Sequence, residues 1–357
     1  MKATETLHDQ GQSLWLDNIT RSMLDNGAVQ RYIDRYSVTG LTSNPSIFDK
    51  AISSGDYDDA IREKAKAGLS GEALFFELAI EDLQRAADLF LPIHERTHGI
   101  DGWCSLEVSP ELAYDTEKTV AAAKDLHERA GRRNLFIKIP GTEEGLPAIE
   151  EAIAAGVPVN VTLLFDEAHY RAAAGAYMKG IERRVAHNQD PFVGSVASVF
   201  ISRWDSSVSE SVPDELKNDL GLAIGLDVYR AYRELKASDR WLRLENRGAK
   251  MQRLLWASTG TKDPNAPDTL YVHGLAAPFT INTMPDKTLE AFHDHGEAGD
   301  PMPPDGGDCD ALFERFEAAG VDLTSLAAKL QSDGARSFVD AWTDLMQAIQ
   351  QKSASVA

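Results

Sequence analysis

The sequence has 357 residues, 43% hydrophobic and 26% charged, and 36 basic against 56 acidic residues give it a formal charge of −20. So acidic a chain lacks the basic stripe of a general nucleic-acid or anionic-membrane binder, although a pocket for a small anion needs only a few local cations. Two cysteines, Cys104 and Cys309, provide neither a disulfide framework nor a CxxC metal site. The opening MKATETLHDQ is not an apolar leader, and there is no apolar run of the ~18 residues a membrane span needs. These features lead to the expectation of a cytosolic protein.

In chain order, short apolar and β-branched runs alternate with longer helical patterns. The strand-like runs are SLWLDN (13–18), SVTGLTSNP (37–45), GWCSLEV (102–108), NLFIKIP (134–140), VPVNVTLLF (157–165), VASVFIS (196–202), RLLWAST (253–259) and TLYVHGL (269–275). Between them, residues 72–93, 116–130, 166–187 and 221–236 repeat apolar positions at three- and four-residue steps. Thr116 and Asp166 are placed as N-caps and Gly131 as the residue that ends its helix.

Eight strands, each followed by helical sequence, predict a parallel (β/α)8 barrel of the TIM type. An open doubly wound sheet is the alternative, but no G-x-G-x-x-G follows the first strand. The excess over the ~250 residues typical of such a barrel falls at 46–101, where two or more extra helices are expected, and in a tail from 284. Residues 297–309 of the tail read as a Pro/Gly/Asp-rich loop and 338–351 as a closing amphipathic helix. One domain over 1–357 is expected.

In this architecture chemistry belongs at the C-terminal ends of the strands. Those ends carry Asp17-Asn18, Thr42-Ser43-Asn44, Glu107, Lys138, Asn160 with Thr162 on the same face, Ser198 and Ser202 in one phase followed by Arg203, and Ser258-Thr259. Lys138 sits inside an otherwise apolar strand. Burial there disfavours the ammonium form, and a neutral amine attacks carbonyls to give Schiff bases. Asp17 and Glu107 are the carboxylates available for proton transfer. A snorkelling lysine or a structural ion pair is the alternative reading of Lys138.

The stretches SLWLDNITR (13–21), GLTSNPSIF (40–48), SLEVSPELAYDTE (105–117), NLFIKIPGT (134–142), VNVTLLF (159–165) and SVFISRWD (198–205) together resemble transaldolases. RLLWASTGTKDP (253–264) and INTMPDKTLEAF (281–292) resemble the longer bacterial branch, and the similarity runs from about residue 11 to about 350. The resemblance implies a class I, Schiff-base aldolase-type barrel. It would move a dihydroxyacetone unit between sugar phosphates in the pentose phosphate route, without a cofactor or metal, as a monomer or homodimer. On this sequence it implies that Lys138 forms the Schiff base and Asp17 is the acid/base of C–C cleavage. Glu107 would shuttle protons through a water held with Thr162. Asn44 and Asn160 would hold the dihydroxyacetone hydroxyls, Ser198 and Phe200 would line the pocket, and Arg203 would bind phosphate. Many relatives have a second arginine just after the seventh-strand serine. Here Ser258 is followed by Thr259-Gly260-Thr261-Lys262, so Lys262 is the expected second cation.

One motif points elsewhere. HERTH (94–98) fits the zinc-peptidase pattern H-E-x-x-H. It lies where a helical pattern interrupted by Pro92 gives way to Gly99 and the third strand, on the barrel face away from the chemistry. It is read as a solvated helix end, and His293 and His295 as a surface loop. With the resemblance in hand, a barrel that binds sugar phosphates without turnover is the non-enzyme alternative, and a closer rival is an aldolase that releases free dihydroxyacetone. Its smaller members lack the 46–101 insertion and the long tail.

Overall fold

A computed structural model of the chain describes residues 1–354. Eight parallel strands form the barrel: β1 (Ser13–Leu16), β2 (Val38–Leu41), β3 (Cys104–Glu107), β4 (Leu135–Pro140), β5 (Val159–Leu164), β6 (Ser195–Phe200), β7 (Arg253–Ala257) and β8 (Ile281–Met284). Their order is β2-β1-β8-β7-β6-β5-β4-β3. The seam between β2 and β3 is bridged by backbone bonds from Leu41 N–H to Trp103 O and from Gly102 N–H to Thr39 O, both 3.0 Å.

The eighth strand differs from the expectation. TLYVHGL contributes a five-residue helix, Leu270–Gly274, and β8 lies further on at Ile281–Met284. The apolar run Leu270-Tyr271-Val272 fits either element, as short apolar runs do. The true strand is masked by buried polar residues, Asn282 and Thr283. Smaller corrections follow the same logic. Asp115, not Thr116, caps the helix Thr116–Ala130 by accepting from Lys118 N–H. Ser202 belongs to the helix Ser202–Val208 rather than to the sixth strand. Asp166 and Gly131 do cap their helices, Gly131 at φ 55°.

The 46–101 insertion holds the helices Pro45–Ser53, Asp58–Lys66 and Gly71–Arg96, the last continuing through Pro92. The closing helix is much longer than 338–351: it runs Leu323–Ala354. Trp342 on it meets Phe75 edge-on at 5.1 Å, so the tail and the insertion pack together over one side of the barrel mouth. Cys104 in β3 and Cys309, which opens the tail helix Cys309–Ala318, are free and fully buried.

The barrel interior is graded along its axis. At the N-terminal end Trp103 stacks on Phe136 at 4.0 Å, and Trp15 donates to buried Asp101 at 2.8 Å. Two residues further along each strand, on the same face, the aromatic floor gives way to Asp17, Ser105 and Lys138. That period explains how a lysine fits a strand buried on both sides: Lys138 stands above Phe136, within the barrel.

Buried Asp205 organises the loops after β6 and β7. It accepts from Leu220 N–H (2.9 Å), Gly221 N–H (3.0 Å) and Tyr271 OH (2.7 Å), so it caps the helix Leu220–Lys236. Burial pushes its carboxyl up from 3.8 to about 6, against those three donors. A raised native pKa means that the folded protein binds this proton more tightly than the unfolded chain. The stabilisation is therefore full below the unfolded pKa and is lost as pH rises through about 6. The Tm of the wild type minus that of Asp205→Asn is expected to fall from about pH 4 to about pH 7, by the equivalent of at most about 3 kcal/mol. Calorimetry on both proteins across that range tests it, and a difference independent of pH would refute it.

Candidate active site

β4 carries Lys138 to the C-terminal mouth of the barrel, where only 5% of the residue is exposed. Its Nζ donates to the Ser43 carbonyl at 3.1 Å and lies 3.1 Å from Glu107 Oε2. The contact with Glu107 is built into the β3–β4 register, which sets Glu107 directly opposite Lys138. Burial pushes the Glu107 carboxyl above its ordinary range, while the lysine's charge and hydrogen bond pull it down. The ring of Phe338, from the closing helix, lies 5.6 Å from Nζ.

Asp17 follows the end of β1, and its own N–H donates to Met284 O at 2.8 Å. Its carboxylate accepts from Thr42 Oγ1 at 2.7 Å, and Thr42 Oγ1 is 2.8 Å from Thr283 Oγ1. Burial raises this carboxyl too. Lys138, the Thr42 hydroxyl and Lys262 act against the rise, and Asp286 adds to it. Two carboxylates thus face one amine in different settings: Glu107 touches it, and Asp17 sits across the cavity on a threonine relay.

The cavity that Asp17 and Lys138 share has a volume of about 140 Å³. Asp17, Asn44, Lys138, Thr162, Ser198, Phe200, Arg203, Ser258 and Lys262 all line it. Glu107 stands behind Lys138. Asn160 stands behind Ser198, whose Oγ donates to Asn160 Oδ1 at 2.7 Å, and Asn160 Nδ2 donates to Ser105 Oγ at 3.0 Å. Asn44 uses its carbonyl oxygen to cap the helix Pro45–Ser53 at Ile47 N–H, which fixes the side chain and leaves its NH2 group for a ligand. Thr162 Oγ1 is buried with no hydrogen-bond partner in the protein. Arg203 lies over the Phe200 ring at 5.1 Å, and burial pulls its guanidinium below its ordinary value. No carboxylate pairs with Arg203 among the described residues. Ser258, at φ 54°, shares a 2.9 Å hydrogen bond with Ser202. Lys262 is exposed at the rim.

The HERTH segment is not a metal site. Its helix ends at Arg96, and His98 turns off at φ 51°, so the two histidines do not share a helix face. His94 is not solvated as expected: it is buried, edge-on to Trp103 at 4.7 Å, with Nδ1 3.1 Å from Asp101 O. His293 and His295 lie in the last turn of the helix Asp286–His295, not in a loop. Among the described residues no cluster of His, Cys, Asp and Glu is placed to hold a metal ion.

Residues 14–349 match the transaldolase/fructose-6-phosphate aldolase family. The chain belongs to that family. Similar proteins named transaldolase include one from Saccharopolyspora erythraea, 44% identical over 98% of this chain and 97% of its own. One from Arthrobacter sp. is 43% identical over 99% of this chain and 98% of its own, and one from Mycobacterium tuberculosis is 43% identical over 94% and 93%.

Within this transaldolase-family barrel, sequence reasoning passed over Thr42 as Asp17's donor, Thr283, Pro285 and Phe338, all of which line the cavity. Phe338 was visible as an apolar position of the closing helix, but nothing local marks which way that helix faces. No helix among the described residues is long and apolar enough to cross a membrane.

Proposed function

We propose that the protein is a cytosolic transaldolase, a single barrel domain with its tail helix included, moving a dihydroxyacetone unit between sugar phosphates. The donor is sedoheptulose 7-phosphate or fructose 6-phosphate, and the acceptor is glyceraldehyde 3-phosphate or erythrose 4-phosphate. The observation that carries this reading is the Lys138 amine, buried at the barrel mouth with Glu107 at 3.1 Å and Asp17 across one cavity.

Lys138 Nζ adds to the donor's ketone carbon. The addition needs a proton delivered to the carbinol oxygen, which leaves as water. Glu107 and the unpartnered Thr162 hydroxyl suit a water held between them for that transfer. The iminium draws electrons from the C3–C4 bond. Asp17 takes the proton of the C4 hydroxyl, and the bond breaks to release the aldose phosphate. The remaining enamine attacks the acceptor aldehyde, whose oxygen regains the proton from Asp17, and water then hydrolyses the product imine. Asn44, Asn160 and Ser198 suit the hydroxyls of the retained unit. Arg203, without a carboxylate partner, suits the phosphate, with Lys262 at the rim as a second cation and Ser258 lining the same cavity.

Transfer rather than release is favoured by the covering of the amine. The tail helix and the insertion lock at Trp342 and Phe75 and hold Phe338 over Lys138, which shields the enamine from protonation by water. The test is an acceptor-omission assay. With fructose 6-phosphate alone, dihydroxyacetone release should be slow, and adding erythrose 4-phosphate should restore rapid loss of donor. Equal rates with and without acceptor would favour the aldolase.

A further inference from the structure

β5 is irregular at the point where it delivers Thr162. Its register with β6 runs Val161↔Ala197 and then jumps to Leu164↔Val199. Thr162 and Leu163 together oppose Ser198, which makes a β-bulge. Leu163 is in the left-handed region at φ 60° and is fully buried. A branched, bulky residue holds that conformation only where its surroundings impose it.

Two groups impose it. Gly141 N–H, at the end of β4, donates to Thr162 O at 2.7 Å. On the other side Gln331, in the closing helix, donates through Nε2 to Leu163 O at 3.0 Å and to Gly141 O at 3.1 Å. One side-chain amide thus ties the ends of β4 and β5 together where the ladder to β6 lapses. The helix approaches closely enough because its next turn carries Gly334: a Cβ there would come within 3.0 Å of Leu163 Cδ2 and 3.1 Å of an Arg203 guanidinium nitrogen. Gln331, Gly334 and Phe338 lie at i, i+3 and i+7, one face of the helix, and meet the bulge, Arg203 and the reactive amine in turn.

We propose that Gln331 is a positioning residue for imine formation and hydrolysis: by holding the Leu163 bulge it aims the Thr162 hydroxyl at the proton-transfer side of Lys138. The inference rests on the roles proposed above for Lys138 and Thr162. Gln331→Met keeps the length and volume of the side chain and removes both donors.

The test is a double-mutant cycle with Thr162→Ala, read by quench-flow borohydride trapping with fructose 6-phosphate. Gln331→Met should slow the appearance of the trapped adduct by about tenfold or more, a part of the ~10²–10⁴-fold that a positioned proton-transfer group supplies. The capture of erythrose 4-phosphate by the preformed enamine should stay near the wild-type rate. In the Thr162→Ala background the same substitution should cost little more, because the group it positions is gone. A merely structural role would give equal losses in both steps and both backgrounds, and that result, or no loss at all, overturns the proposal. If the Met variant does not fold, Gln331→Ser goes through the same cycle: water can satisfy the two carbonyls but does not tie them to the closing helix, so the same step-selective loss is expected. A wild type that traps no adduct would refute the proposed function itself. A wild type and a Gln331→Met protein that trap at the same rate would refute this inference alone.

Discussion

Lys138→Ala, mixed with fructose 6-phosphate and borohydride, is expected to show no mass increase, where the wild type gains a three-carbon adduct on the peptide containing Lys138. Turnover should fall by about 10⁴-fold or more, the scale on which loss of a covalent nucleophile is felt. No other lysine can take over: Lys262 is exposed at the rim, and among the described residues no third lysine lines the cavity. The variant must also fold. Removing one member of a buried ion pair can cost about 3–5 kcal/mol, but Glu107 has an escape. Burial already pushes its carboxyl up, and without the lysine it takes a proton and becomes neutral. Lys138→Met, which fills the space of the lysine stem, is the better-packed control and should be equally inactive. Normal turnover in either folded variant would sink the Schiff-base mechanism.

Asp17→Asn should separate the covalent step from the carbon–carbon step. The asparagine oxygen still accepts from Thr42 Oγ1, so the relay to Thr283 survives, but the group can no longer take a proton from the C4 hydroxyl. The imine should form at close to the wild-type rate and then stall, with cleavage slowed by about 10²–10⁴-fold. Trapping should therefore recover the whole six-carbon sugar phosphate on Lys138 in place of the three-carbon fragment. Glu107→Gln should instead slow the first appearance of any adduct. A three-carbon adduct formed at the wild-type rate in Asp17→Asn would assign the cleavage base elsewhere.

Most of the barrel could be read from sequence, because parallel strands buried on both faces appear as apolar β-branched runs. β4 and β5 are of that kind, and their polar exceptions, Lys138, Asn160 and Thr162, stood out against the background. β8 escaped for the opposite reason: in INTM two of four positions are buried polar residues, and the site-lining face erased the pattern that marks a strand. The cavity residues on strand ends were legible for the same reason as Lys138. Those supplied by the closing helix were not. Gln331 and Phe338 reach the site only through the docking of a segment nearly 200 residues away in sequence from Lys138, and local periodicity states that a helix has an apolar face without saying what that face meets.

The two buried cysteines give the molecule a pair of internal clocks. Burial pushes the Cys104 thiol well above its ordinary value and the Cys309 thiol up to about 11, so neither is a useful nucleophile at neutral pH while the structure is closed. A maleimide can then react only with molecules that have opened at the cysteine in question. Cys104 belongs to a strand of the barrel wall, whereas Cys309 belongs to a tail helix packed outside it against Leu220–Lys236. Labelling rates at the two sites, read by mass on one sample, therefore time two different openings: disruption of the barrel itself, and detachment of the outer layer from a barrel that stays intact.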